Sequence, residues 1–404
     1  MAKFYNYKVI GVDGEIHEGV HEADSRIEIL NFIRSKGQKP IKVEEVHQGR
    51  SLDLSQTVFS RQPNTKDLIV FTRQLYTMLN AGMPLISGLE VLVDQSENHK
   101  LRKATENITN DVKKGSMLSE AMEKYPKIFP ILLRNMIQAG EMTGNLDSVL
   151  NKMATHFDKE AKINAKIKRA LIYPTVLILL AIAAVTFLLT YVLPVVIGMF
   201  ENSGATLPLI TRIVLAISHS IRDNWYIYLL VIGTVIFSYR VFVNTKRGKK
   251  VKDTIFLHFP IIRKPMQKIV TSRFTRTLST LLSSGIPILS ALKTSALVTN
   301  NLVLIDEIEG VAENIKKGDS LSKLLGNIDL FPKMTVSMIS IGEESGAIEE
   351  MLEKTADYYD DELESSLEKL VALIEPIGIL VMGLIIGFII IAMMLPMFEM
   401  YKTL

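Results

Sequence analysis

Glu141 and Asn145 stand four residues apart, at i and i+4, and each carries a side-chain oxygen. Together they can offer oxygen ligands to a divalent cation. They lie in the run Gly140-Glu141-Met142-Thr143-Gly144, which returns as Gly342-Glu343-Glu344-Ser345-Gly346. Ala347 replaces Asn145 in the second copy, so only the first could hold a cation in this way. The preferred reading of both runs is structural. Their glycines permit tight turns and close helix approach, and Glu141 and Glu343 are expected to accept hydrogen bonds from free N–H groups at the start of the following helix. The functional reading is a contact with another subunit or a partner. His17 and His21 are also four apart, but in a glutamate-rich stretch that reads as strand, and no metal is assigned to them.

Other chemistry is absent from the pattern. There is no G-x-x-x-x-G-K-[S/T], which argues against a P-loop ATPase. His17-Glu18-Gly19-Val20-His21 spells H-E-x-x-H, but in a stretch that reads as strand and not as the helix that motif needs to bring both histidines to one metal. G-x-S-x-G does not occur. The chain has no cysteine, which excludes disulfides, thiolate nucleophiles and cysteine-ligated metals. One ionisable residue, Glu375, stands beside Pro376 inside an apolar run where the first copy has Tyr173 and Pro174. A carboxylate at bilayer depth costs about 2–3 kcal/mol at a helix centre, so Glu375 is expected to face another helix and to act as interhelical glue. Gly383 and Gly387 form a G-x-x-x-G pattern suited to close helix packing and self-association.

These residues are carried by a chain written twice. Phe71-Thr-Arg-Gln-Leu75 returns as Phe274-Thr-Arg-Thr-Leu278, an offset of 274 − 71 = 203. Gly82-Met-Pro-Leu85 returns as Gly285-Ile-Pro-Ile288, and Lys114-Gly115 with Leu118-Ser119 returns as Lys317-Gly318 with Leu321-Ser322. After a one-residue deletion the offset is 202, pairing Phe129-Pro130 with Phe331-Pro332, Pro174 with Pro376, and Leu193-Pro194 with Leu395-Pro396.

Each copy ends in a long apolar run. The 404 residues are 48% hydrophobic, as expected for large soluble regions joined to a few spans. Residues 171–200 and 370–398 are each long enough to cross a hydrocarbon core of roughly 30 Å. A third run, 224–243, is shorter, with Trp225 and Tyr226 suited to an interface and Arg240 able to snorkel. Lys159, Lys162, Lys166, Lys168 and Arg169 precede the first run. Arg240, Lys246, Arg247, Lys249, Lys250 and Lys252 follow the second, and only Arg212 and Arg222 lie between. That bias makes the N-terminal region and 244–369 cytoplasmic, with the 201–223 loop and the C-terminus facing outward. Two modules of one polarity need a returning helix between them, and 224–243 supplies it. No apolar stretch near the N-terminus reads as a cleavable signal, so the first span is expected to direct insertion.

The expected fold is mainly α: a polytopic membrane protein with two repeated cytoplasmic helical bundles, three transmembrane helices and a small mixed α/β cap. Residues 1–50 form the cap, with a turn at Asp13-Gly14, a short helix at 25–36 and a strand at Ile41-Lys-Val43. Residues 51–63 read as linker. The bundles are 64–170 and 267–369, each large enough for its own core. In the first, Asn64 to Asp67 caps a helix, Pro84 and Pro130 open helices, Gly140 ends one, and a helix from Leu146 continues into the first span. The segment from Leu207 to Trp225 is amphipathic and is expected to lie along the outer interface. The basic stretch Lys159–Arg169 either meets a partner or rests on anionic lipid.

Taken together, the paired F-T-R-x-L, A/S-G-x-P-[LI], K-G-x-x-L-S and G-E-x-x-G motifs resemble the type II secretion F / type IV pilus PilC family of inner-membrane platform proteins. Ala170-Leu-Ile-Tyr-Pro174, Leu207-Pro-Leu-Ile-Thr211, Glu375-Pro376 and the N-terminal hairpin with Gly11 and Gly14 fit as well, so the resemblance covers essentially the whole chain. It implies a non-enzymatic protein of the bacterial inner membrane, without catalytic residues or cofactors. It also implies binding to a cytoplasmic hexameric secretion ATPase, whose cycle is coupled to adding or removing pilin or pseudopilin subunits. Further implied partners are other inner-membrane assembly proteins, further copies of the chain and membrane lipid, with no nucleic acid. The competing readings are a small repeat-built transporter and an unrelated membrane scaffold. Three spans with few polar groups supply neither the broken helices nor the midplane sites of a transporter.

Overall fold

The computed structural model describes residues 3–10, 16–23, 28–29, 32–33, 39–46, 61–201 and 208–403. They fall into two units, Met1–Arg61 and Gln62–Leu404. In the first, strands β1 (Lys3–Ile10), β2 (Ile16–Ala23) and β3 (Lys39–Val46) make an antiparallel sheet of order β2-β1-β3. Ile29 and Ile33, one helical turn apart, are fully buried. His17 and His21 sit on β2, so their Cα atoms lie about 13 Å apart along the strand. The Asp13-Gly14 turn and most of the expected linker lie outside the described residues.

The second unit is helical and keeps the duplicated order. The first copy contains α1 (Thr65–Asn80), α2 (Leu85–Gln95), α3 (His99–Lys113), α4 (Leu118–Glu123), α5 (Ile131–Thr143) and α6 (Leu146–Phe187). A π-helical turn, Leu188–Val192, joins α6 to α7 (Leu193–Glu201). Then come α8 (Leu209–Asp223), α9 (Trp225–Asn244) and α10 (Lys246–His258). The second copy contains α11 (Pro260–Leu282), α12 (Ile288–Thr299), α13 (Leu302–Ile315), α14 (Leu321–Leu325), α15 (Lys333–Ser345) and α16 (Ile348–Thr403).

Local chemistry sets these boundaries. Asn64 and Asp67 form a reciprocal capping box, with the Asp67 amide donating to Asn64 at 2.9 Å and the Asn64 amide to Asp67 at 2.8 Å. Gly115 and Gly318 both take φ +95, ending α3 and α13 in a left-handed turn. Gly140 does not end a helix, contrary to expectation; α5 runs past it and stops at Gly144, whose φ is +73. Gly140 is small for another reason: a Cβ there would lie 3.1 Å from the Leu146 Cα. Gly342 and Gly346 repeat the arrangement, with 2.8 Å to the Ile348 Cα and φ +69.

Phe71 packs on Phe129 with tilted rings whose centroids are 5.6 Å apart, and the equivalent Phe274 and Phe331 are 5.0 Å apart. The buried side chains of both copies nevertheless join into one continuous apolar cluster, not two separate cores. The second bundle also begins earlier than 267. Helix α11 starts at Pro260, and α10 packs on α13 through Asp253, which accepts the Leu302 amide at 3.0 Å.

Three stretches among the described residues are long and apolar enough to cross a membrane: Leu146–Gly198, Trp225–Asn244 and Ile348–Pro396. In the first and last, a charged bundle helix and an apolar segment are one helix. Helix α6 has 42 residues and α16 has 56, about 63 and 84 Å at 1.5 Å per residue. Helix α9 buries no residue within the chain. Helix α8 lies against the other two through Val214, Thr211 and Ser218, donating from Thr211 to the Ala392 carbonyl at 2.6 Å and from Ser218 to Leu189 in the π turn. Its Leu209, Ile213 and Ile217 remain exposed, a second apolar stripe at helical spacing.

Glu375 departs from expectation. It is exposed and not buried against a neighbouring helix of the chain. Its place near the start of the apolar run keeps it toward an interface, where an ionised carboxylate costs less. A Cβ on Gly383 or Gly387 would meet nothing within 4 Å, so the G-x-x-x-G face is not used inside the chain. The tight crossing is at Gly378, where an added Cβ would lie 2.8 Å from Leu177. Pro174 and Pro376 both stay inside their long helices.

Candidate functional site

Glu141 and Glu343 perform the same task in the two copies. Glu141 Oε1 accepts the Leu118 amide at 2.5 Å, while Oε2 accepts the Ser119 amide at 3.1 Å and its hydroxyl at 2.6 Å. Glu343 accepts the Leu321 amide at 2.6 Å, the Ser322 amide and hydroxyl at 3.0 and 2.6 Å, and the Ser320 hydroxyl at 2.8 Å. Each carboxylate therefore caps a helix N-terminus, as expected, but the helix is the preceding short one (α4 or α14) and not the following one. Burial pushes the Glu343 carboxyl up, yet the hydrogen bonds from Ser322, Ser320 and Leu321 outweigh it and hold the group below its ordinary range. Glu141 has both oxygens engaged in this way. Among the described residues no group of three or more histidines and carboxylates stands where it could hold a metal.

A second polar cluster joins the two copies along α6, α11 and α16. Arg276, 6% exposed, donates to Asp357 at 3.0 Å and pairs with Asp360, which also accepts from Ser272. Lys159 reaches from α6 to Asp357 at 2.9 Å and to Glu353 at 3.4 Å, and Lys166 pairs with Glu364 at 2.5 Å. Arg273 donates to Asn164 at 2.9 Å, and Asn135 donates to Thr294 at 2.9 Å. His156 is buried among these groups, fifteen residues before the charge-free run begins at Leu171. Burial, reinforced by Arg276, Arg273 and Lys159, pushes its pKa down to about 3, so it is neutral at physiological pH.

This seam was not visible in the sequence. Its one signal was Arg276 in the second F-T-R-x-L, and the equivalent Arg73 is exposed. At the offset of 202, Asp357 and Asp360 correspond to Thr155 and Asp158, so the first copy lacks half of the acidic pair. The basic stretch 159–169 is largely engaged here: Lys159 and Lys166 bind α16, and Lys162 pairs with Asp158 at 2.9 Å. Three of the five basic residues for which a partner or anionic lipid was expected are therefore paired within the chain.

The family model described as type II secretion system (T2SS), protein F matches the chain twice, over residues 71–194 and 274–396. The chain belongs to the type II secretion system protein F family. Both matches start on the phenylalanine of F-T-R-x-L and end on the proline of Leu-Pro, so the family domain coincides with the repeat. The chain is 35% identical over 401 residues to the type IV pilus assembly protein PilC of Thermus thermophilus, covering 99% of this chain and 98% of that one. It is 36% identical over 391 residues to PilC of Myxococcus xanthus, covering 96% and 92%. It is also 35% identical over 403 residues to type II secretion system protein F of Vibrio cholerae, covering 99% and 98%. The sheet-bearing N-terminal unit and helix α9 lie outside both family domains.

Proposed function

We propose that this protein is a non-enzymatic platform of a type IV pilus or type II secretion machine in the bacterial inner membrane. It couples a cytoplasmic hexameric ATPase to the assembly or disassembly of pilin or pseudopilin subunits. The observation that carries this reading is the unbroken passage of α6 and α16 from bundle to apolar segment. A force applied to the bundles is delivered along two stiff helices, and the ion pairs between them make the helices move together. Membership of a family whose members are named for pilus assembly and type II secretion supports the same reading.

The bundles face the cytoplasm in this account, with the N-terminus inside and the C-terminus outside, following the distribution of Lys and Arg. The 64–170 bundle is the proposed ATPase contact. Deleting the gene should abolish surface filaments or secretion, and a photo-crosslinker on the exposed side of α3 should capture the ATPase. Normal filaments and secretion in the deletion strain, with no second copy of the gene, would overturn the proposal.

A further inference from the structure

Helices α6 and α16 leave a cleft of about 420 Å³ between them, within the range of about 300–1,000 Å³ typical of ligand pockets. Ala170 and Ala372, equivalent positions at the offset of 202, line it and are too short to fill it. Leu367 and Val371 make the rest of the wall apolar. The helices are fastened on either side of the gap. On the bundle side Lys166 pairs with Glu364 at 2.5 Å. On the apolar side the helices cross at Gly378, where an added Cβ would lie 2.8 Å from Leu177.

The depth of the cleft decides what it meets. Its lining runs over residues 166–173 of α6, about 10 Å at 1.5 Å per residue, and the charge-free run begins within that span at Leu171. The headgroup layer of a bilayer is about 5–8 Å thick on each side, so the cleft covers that layer and the first carbons beneath it. Tyr173 stands at its inner end, a side chain suited to that level. Two charged side chains in the wall are uncommitted. Arg169 on α6 and Glu368 on α16 are both exposed, and neither side chain makes an ion pair or hydrogen bond among the described residues. A guanidinium and a carboxylate above an apolar gap complement a ligand that carries phosphate, ammonium and hydrocarbon together.

We propose that this cleft binds one zwitterionic aminophospholipid of the phosphatidylethanolamine class. Its phosphate lies on Arg169, its ammonium on Glu368, and an acyl chain runs along Ala170, Val371 and Ala372. A primary ammonium donates hydrogen bonds to a carboxylate, which the quaternary nitrogen of phosphatidylcholine cannot do. The glycerol headgroup of phosphatidylglycerol brings no cation and leaves Glu368 facing a phosphate. The bound lipid fills the gap between the long helices of the two copies where they enter the bilayer. The proposal needs only that the apolar segments lie in a bilayer, so it survives failure of the platform reading.

The test is native mass spectrometry of the full-length protein released from detergent. Phosphatidylethanolamine, phosphatidylcholine and phosphatidylglycerol with identical acyl chains are titrated separately. Saturable retention of one phosphatidylethanolamine per chain is expected, at least about tenfold stronger than for the other two, the size of one charge-assisted hydrogen bond. Arg169→Gln should weaken retention of all three lipids. Glu368→Gln should keep binding but erase the preference for phosphatidylethanolamine over phosphatidylcholine. Both positions are exposed, so circular dichroism of the two variants should match wild type. Arg222→Gln, outside the cleft, should change nothing. Equal retention of the three lipids by wild type would mean an unselective lipid shell and would overturn the proposal. So would a preference for phosphatidylglycerol, or a full preference for phosphatidylethanolamine surviving in Glu368→Gln.

Discussion

The carboxylate of Glu343 lies 2.6 Å from the amide nitrogen of Leu321, and in the first copy Glu141 accepts the Leu118 amide at 2.5 Å. Helices α4 and α14 have only six and five residues, too few to persist unsupported. Glu343→Ala should therefore lower stability by about 1–3 kcal/mol, the cost of leaving buried amides unpaired. Glu141→Ala should do the same, and thermal unfolding in detergent would show both losses. The double variant should lose roughly the sum, since the two sites share no partner.

Acid should reveal the same contact. The Glu343 carboxyl is held below its ordinary range in the folded protein, so its contribution is complete above that range and is lost as pH falls through the lowered folded value. The gap in melting temperature between wild type and Glu343→Gln should be constant near neutrality and shrink below about pH 4.5. A gap that widens on acidification would contradict the assignment.

Gly342→Ala would bring a Cβ to 2.8 Å from backbone at Ile348, where nothing can give way cheaply. A loss of about 1–3 kcal/mol is expected from such overpacking. Gly383→Ala meets open space, and replacing a helical glycine there should leave the isolated chain unchanged or stabilise it by up to about 1 kcal/mol. If the G-x-x-x-G face instead joins two copies, Gly383→Ala should shift the mass distribution of the detergent complex without changing the fold of each chain.

Arg276→Met should cost about 3–5 kcal/mol because it leaves Asp360, whose side chain is 17% exposed, without its cation. Arg73→Met, at the matching position of the first copy, should stay within about 0.5 kcal/mol as an exposed substitution. Equal effects would mean that the seam is not the asymmetric feature described above.

The duplication, the three apolar segments and the continuity of α6 were legible in the sequence because each is a local or periodic pattern. Gly140 reads as a helix stop because a glycine that stops a helix and a glycine that lets another helix approach look alike until the chain is folded. Gly144, four residues on, carries the left-handed turn. The sequence points Glu141 and Glu343 at the following helix, because the start of α4 reaches the end of α5 only through the fold of the bundle. The seam around Arg276, Lys159 and Asp357 was invisible for a similar reason: no sequence pattern aligns α6 with α16.

The account depends on two modules sharing one side of the membrane, and the absence of cysteine makes that directly measurable. Lys114 and Lys317 are equivalent, exposed positions of the two copies, and Arg222 lies in the segment assigned to the opposite side. Lys114→Cys, Lys317→Cys and Arg222→Cys would each be treated in intact spheroplasts with a membrane-impermeant maleimide. Labelling of Arg222→Cys alone, with the other two reactive only after lysis, is the predicted result. Labelling of Lys317→Cys from outside would contradict the shared polarity and the platform built on it.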